Sequence, residues 1–278
     1  MPETSARGHG RVARLAVVGT LGLVVWSVVA LVTVYLQHDQ GMEQQLKHAK
    51  VTRVVSGDSL EITSVRQRLT VQLVAVQAAD PGTGCLADPA RDALQSLVPV
   101  GSTVSITEVR GAVPRPGLLA ATVSRDARPV EVELMRTGLV AASGLDAPGL
   151  PDLHRAADDA RAAGVGFYDG REPCTVPGQV HDAVARVEVA MPDLQQPGPP
   201  AATEGARLDE ALVAATRLRA RLAPSPAPPT SSDAAPPPLP PEWRALSGND
   251  VALLRARLDA AIVGGQAVRL ALAAGTTR

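Results

Sequence analysis

The stretch whose reading decides the fold is Val51–Ile62, VTRVVSGDSLEI. Two short apolar-rich runs, VTRVV and SLEI, flank Ser56-Gly57-Asp58-Ser59. Asp beside Gly favours a turn, and Val and Ile favour strands. Further runs of the same kind follow: LTVQLVAV from Leu69, STVSITEV from Ser102, LLAATVS from Leu118 and PVEVEL from Pro129. They alternate in part and are separated by Gly, Ser, Pro or Asp.

Helical signals stand between these runs. Asp88–Leu97 predicts a helix, with Pro89 in the first turn and Ala93, Leu94 and Leu97 on one face. Glu131–Thr137 leads into Gly138, a helix stop. Asp152–Ala163 predicts a third helix, ended by Gly164. Short strands with interspersed helices suit an α+β fold, a small OB-type β-barrel with attached helices.

The N-terminal part has a different character. Leu15–Leu36 is an unbroken, charge-free apolar run. A helix of about 20 residues crosses a hydrocarbon core of about 30 Å. Arg7, Arg11 and Arg14 precede the run, whereas Asp39 and Glu43 follow it. The positive-inside rule then keeps the N-terminus cytoplasmic and sends the bulk of the chain outside. A cleaved signal peptide is the competing reading. Its apolar core is usually shorter, and LQHDQGMEQQ offers no small-residue cleavage site. The expected organisation is a cytoplasmic tail at 1–14, a transmembrane signal anchor at 15–37 and a polar stalk at 38–50. The barrel domain follows at 51–176 and a linker at 177–202, in which Gln179–Met191 is mildly amphipathic and could extend the last helix region before Pro192–Ala202 breaks the pattern.

Beyond the linker, Leu208, Ala211, Ala215, Leu218 and Leu222 recur three and four apart. The same alternation returns at Val251, Leu254, Leu258, Ala261, Gly265, Val268 and Leu272. This is a heptad-type seam, and it predicts helices at 203–222 and 248–274 that pair as a hairpin or dock on a partner. Its alanines and Gly264-Gly265 weaken it as a free-standing coiled coil. The proline-rich spacer at 223–247 should be extended, a semi-rigid connector; its PPPLPP reads less readily as a ligand for a proline-binding domain.

Composition narrows the function. Lys and Arg number 27 against 28 Asp and Glu, a net charge of −1, with no basic run to meet a polyanion. Aromatic residues make up 2% of the chain, so there is little on which unpaired bases could stack. Nucleic acid is therefore an unlikely partner by composition. The two cysteines, Cys85 and Cys174, are not in a CxxC, and none of the five histidines stands at metal-ligand spacing to them. Outside the cytoplasm two thiols are more often bridged than free, and a bridge closing a loop of about 90 residues would stabilise by about 4–5 kcal/mol through chain entropy. Two unrelated buried thiols are the other reading.

Taken in order, five segments resemble the staphylococcal-nuclease-like (thermonuclease) family. They are Ser56-Gly57-Asp58-Ser59, Val71–Asp80 (VQLVAVQAAD), Pro114–Val123 (PRPGLLAATV), Pro129–Val140 (PVEVELMRTGLV) and Leu153–Phe167 (LHRAADDARAAGVGF). The likeness covers about Val51 to Cys174, and the cysteine pair looks like that of secreted actinobacterial members. The resemblance implies an OB-type barrel and calcium-dependent phosphodiester hydrolysis. Carboxylates of two strands would hold calcium, a glutamate would assist water, and two arginines would meet the phosphate. Asp58 matches one calcium aspartate, but Ser56 replaces the first acid and Gln77 the second calcium carboxylate. Gln72 stands for the first arginine, and Asp80 falls on the glutamate position, one methylene shorter. Gly117 occupies the second arginine's position; Arg115, two residues away, would reach only by bending the turn.

Losing one transition-state charge contact costs about 2.7–4 kcal/mol, and calcium affinity follows ligand charge. The expectation is a membrane-anchored, extracytoplasmic, non-catalytic nuclease-like module of the cell envelope, needing no cofactor. Its lipid contact is 15–37, and the C-terminal helices bind a protein partner or pack on the barrel. The alternatives are a calcium-dependent surface nuclease rebuilt around Asp58, Asp80 and Arg115, and a purely structural spacer. Asp58 and Asp80 also read as turn residues, and Arg115, Arg125 and Arg128 as a solvated rim. His154 reads as solvated too, and Ser56 and Ser59 lack a nearby His-Asp pairing in sequence that would make either a nucleophile.

Overall fold

A computed structural model describes residues 48–64, 67–109, 112, 115–143, 152–191, 202–222 and 239–275. The expected anchor at 15–37, most of the stalk and the prolines at 223–238 lie outside the described residues. No helix among the described residues is long and apolar enough to cross a membrane.

The strands are β1 (Ala49–Ser56), β2 (Ser59–Ser64), β3 (Gln67–Leu73), β4 (Val76–Gln77), β5 (Thr103–Glu108), β6 (Leu119–Arg125), β7 (Arg128–Pro129) and β8 (Ala141–Ala142). The main sheet runs β3-β2-β1-β5-β6-β7, and β3 also pairs with β6 in parallel through Val71↔Leu119 and Leu73↔Ala121. That pairing closes β1, β2, β3, β5 and β6 into a five-stranded barrel, consistent with the OB-type expectation. Closure leaves the inward residues of each strand, such as Val51, Leu60, Ile62, Leu73, Ile106 and Val123, in one core. β4 and β8 form a separate small ladder, Val76↔Ala142 and Gln77↔Ala141.

The helices are α1 (Ala87–Leu97), α2 (Val130–Arg136), α3 (Leu153–Ala163), α4 (Val176–Ala190), α5 (Ala202–Arg221), α6 (Pro241–Arg244) and α7 (Gly248–Gly275). α1 lays Ala90 and Leu94 on the barrel core. PVEVEL, one of the strand-like runs, is α2 apart from its first residue: Glu131 and Met135 are buried together with Val130, Val132 and Leu134, which a strand with one exposed face would not allow. α2 stops at Gly138, φ +70°, and α3 at Gly164, φ +63°, as their glycines predict.

Two expectations need correction. The stretch 177–202 is not a linker throughout, because α4 fills its first half. Thr175 caps α4 by accepting from Gly178 N at 3.0 Å, and Pro177 sits in the first turn. The C-terminal helices are therefore not a lone pair. α4, α5 and α7 form a three-helix bundle around Val180, Val187, Leu208, Leu218, Leu258 and Ile262. Arg269–Asp209 at 2.7 Å and an Arg219–Asp259 pair show that α5 and α7 run antiparallel. Gly265 does not interrupt the seam. A Cβ there would lie 2.8 Å from Leu212 Cδ2 and 3.1 Å from Val187 Cγ1, so the glycine is where α7 approaches both neighbours most closely.

The second correction concerns the spacer. Its end is not extended: Pro240 and Pro241 start α6, and residues 240–250 dock against the barrel domain. Ala245 is buried with Ala141 and Phe167. Tyr168 Oη donates to Ala245 O at 2.9 Å, and Arg161 Nε donates to Asp250 Oδ2 at 2.9 Å. Cys85 and Cys174 are bonded, Cα–Cα 5.4 Å, and Cys85 packs against the same cluster. Barrel and bundle thus share one seat.

Candidate functional site

Asp58 sits at the tip of the β1–β2 hairpin, and the tip is buried. Gly57 makes this possible: a Cβ there would lie 2.4 Å from Ala90 Cβ of α1 and 2.7 Å from Ala78 Cβ. Drawn in this way, the Asp58 carboxylate is 1% exposed, and a buried charge needs partners. Ser56 Oγ donates to Oδ1 at 2.6 Å. Arg115 Nη2 donates to Oδ2 at 2.6 Å, and Ala78 N approaches the same oxygen at 3.4 Å. Leu73 N donates to the Asp58 carbonyl at 2.9 Å. Hairpin, the 73–78 segment and the Arg115 loop all converge on one carboxylate.

Arg115 departs from the solvated-rim expectation. The turn Arg115-Pro116-Gly117-Leu118 closes by Leu118 N donating to Arg115 O at 3.1 Å, with Gly117 at φ +79°. Pro followed by a left-handed Gly is the type II pattern. Gln72 Oε1 accepts from Arg115 N at 2.9 Å and fixes the loop's entry. The guanidinium is left half-exposed above Asp58. Gln72 therefore holds the turn that delivers Arg115 to Asp58.

Gln77 is engaged as well. Its Oε1 accepts from Arg244 Nη2, a residue of α6. Arg244 Nε is buried without a hydrogen-bond partner among the described residues, and burial lowers the Arg244 pKa. Sequence reasoning missed this contact. The signal available was the break in the proline run at Pro241-Glu242-Trp243-Arg244, where charge and an aromatic interrupt a spacer composition.

Asp80 is not brought into this cluster. Its side chain is exposed, and its carbonyl accepts from Gly84 N at 2.9 Å, so it acts as a turn residue. Arg125 leaves the rim too, donating from Nη1 to Leu97 O at 2.7 Å and fastening β6 to the end of α1. Arg128 and His154 are exposed, as expected. Ser56 and Ser59 hydroxyls lie 2.5 Å apart and spend their hydrogen bonds on each other and on Asp58.

The residues present do not fit calcium. Both Asp58 oxygens are committed, one of them to a cation, and the oxygen of Gln77 faces a second cation. Hard calcium takes six to eight oxygens with carboxylates among them. No group of three or more His, Cys, Asp or Glu able to hold a metal occurs among the described residues.

A second buried carboxyl lies on α2. Glu131 is fully buried; Val123 N donates to its Oε1 at 2.7 Å, while Oε2 has no partner among the described residues. Burial raises its pKa from 4.5 to about 7, against the backbone hydrogen bonds that lower it. Nothing in the sequence marked it, because Glu on a short helix ordinarily faces water.

No protein-family model matches the chain, and no curated protein matches it.

Proposed function

We propose that this protein is a non-catalytic binding module of nuclease-like descent, tethered to the cell envelope by residues 15–37. The observation that carries the reading is the self-satisfaction of the Asp58 cluster. Its acid is paired with Arg115, and Gln77 is paired with Arg244. A phosphodiesterase needs the reverse, cations left open for the phosphate and carboxylates left open for a metal. Each such missing contact is worth about 10²–10³ in rate. The proposed site outside the membrane agrees with the three arginines before Leu15 and with a bonded cysteine pair, which persists in oxidising compartments. The C-terminal helices are the proposed protein-binding part.

One observation favours a second reading. Arg115 does meet Asp58, as a rebuilt nuclease site would require. Asp80, the other acid such a site needs, is turned to solvent. The first reading is tested by calorimetric titration of the detergent-solubilised full chain with calcium. No heat beyond dilution is expected. Saturable binding that disappears in Asp58→Asn would establish the second reading instead.

A further inference from the structure

The strap at 240–250 is seated between two walls. One is Phe167-Tyr168 and the other Cys85-Leu86, and Ala245 is buried in the cluster they form with Ala141. The walls are held differently. Phe167 N donates to Gly138 O at 2.8 Å, and a Cβ on Gly138 would lie 2.3 Å from Val165 O, so this wall is locked against the end of α2. Beyond it, Thr175 Oγ1 donates to Asp169 O at 2.6 Å and fixes the turn that carries Cys174.

The hydrogen bonds of the other wall are local. Gly84 N donates to Asp80 O at 2.9 Å and Ala87 N to Gly84 O at 3.3 Å, while Pro81, Gly82 and Thr83 are exposed. Leu86 stands at φ +60°, ψ +21°, in the left-handed region. A bulky side chain keeps that backbone where its surroundings over-determine it. The Cys85–Cys174 bond ties this wall covalently to the locked one.

The strap itself is docked by opposing effects. Tyr168 Oη to Ala245 O and Arg161 to Asp250 favour the seat. Arg244 opposes them: its Nη2 meets the neutral oxygen of Gln77, its Nε has no partner among the described residues, and burial works against its charge. Docking therefore depends on the walls staying together. We propose that the Cys85–Cys174 bond is a redox-operated clasp. Intact, it closes the seat on residues 243–250; reduced, it lets the Cys85 wall part and the strap leave, uncovering Gln77, Ala141 and Phe167.

Both cysteines are half-buried, so a thiolate can reach the bond. An external dithiol supplies the two electrons. One of its thiolates attacks one cysteine sulfur, forms a mixed disulfide and expels the other cysteine as a thiolate. Its second thiolate then attacks the mixed disulfide and leaves as a cyclic disulfide, and the two protons of the dithiol end on Cys85 and Cys174. The barrel keeps its fold, because its closure through Val71↔Leu119 and Leu73↔Ala121 and its core use neither cysteine. The inference is independent of the reading of the Asp58 cluster.

The test is hydrogen exchange, read by mass spectrometry, on the full chain in detergent before and after reduction with dithiothreitol. Amides of 243–250 should exchange at least about tenfold faster after reduction and regain protection on reoxidation, with β1–β3 unchanged. Cys85→Ser with Cys174→Ser should show the fast exchange without reductant. Unchanged protection of 243–250 on reduction would overturn the proposal. So would an equal loss of protection in β1–β3, which would make the bond a support of the whole fold. Slow exchange of 243–250 in the serine pair would assign the effect to the reductant and overturn it as well.

Discussion

Glu131 places a buried carboxyl between α2 and β6, with one oxygen bonded to Val123 N and the other without a partner among the described residues. Its folded pKa of about 7 lies above the ordinary 4.5, so the folded protein holds this proton more tightly than the unfolded chain. The sign follows. The contribution is full below about 4.5 and is lost as pH rises through about 7, a gap of about 3 kcal/mol. Urea melts at several pH values should show stability falling from pH 5 to 8, and Glu131→Gln should remove most of that fall. An unchanged slope in the variant would assign the pH dependence to other groups. Arg115 behaves differently. Arg115→Ala leaves Asp58 buried with only Ser56 and Ala78 as partners, and should cost about 1.5–3 kcal/mol. A cost below about 0.5 kcal/mol in the same melts would mean that the ion pair is a solvated contact. The role of Glu131 was not legible from the residue alone, and Arg115 stood beside Asp58 only in the rebuilt-site alternative. A glutamate in a helix and an arginine in a Pro-Gly turn acquire their partners only when the barrel closes.

The hairpin tip shows which elements the sequence does specify. Val and Ile at alternate places and the Gly-Asp turn predict β1 and β2, and both form. The same local reading stops short of explaining why the turn contains glycine. The reason is tertiary, the passage of α1 across Gly57. Gly57→Ala should therefore destabilise by about 1–3 kcal/mol through overpacking against Ala90, read as a lowered urea midpoint with unchanged slope. The helix stops at Gly138 and Gly164 were legible for a local reason, since each needs positive φ. The amphipathic pattern of Gln179–Met191 pointed to α4, but its apolar face, Val176, Val180, Ala183 and Val187, finds its complement only in helices far along the chain, so its place in a bundle was not legible.

At the scale of the whole molecule, residues 240–250 join what the sequence separates. A proline-rich composition suggested a connector holding two parts at a distance, yet Arg244, Ala245 and Asp250 meet Gln77, Tyr168 and Arg161 of the barrel domain. The disulfide between Cys85 and Cys174 lies beside that seat. Gln77 thus receives a cation from the C-terminal part, while Asp58 is paired with Arg115 within the barrel domain. The barrel's architecture was legible from strand and helix signals. The pairing of the polar groups at Asp58 and Gln77 was not, because their cationic partners, Arg115 and Arg244, come from segments far along the chain.

The direct test is hydrolysis of labelled single-stranded DNA by the full chain in detergent, with calcium and with a chelator, alongside Asp58→Ala. The account predicts no cleavage above the buffer background in any condition. Calcium-dependent cleavage by the unaltered chain that vanishes in Asp58→Ala would contradict it.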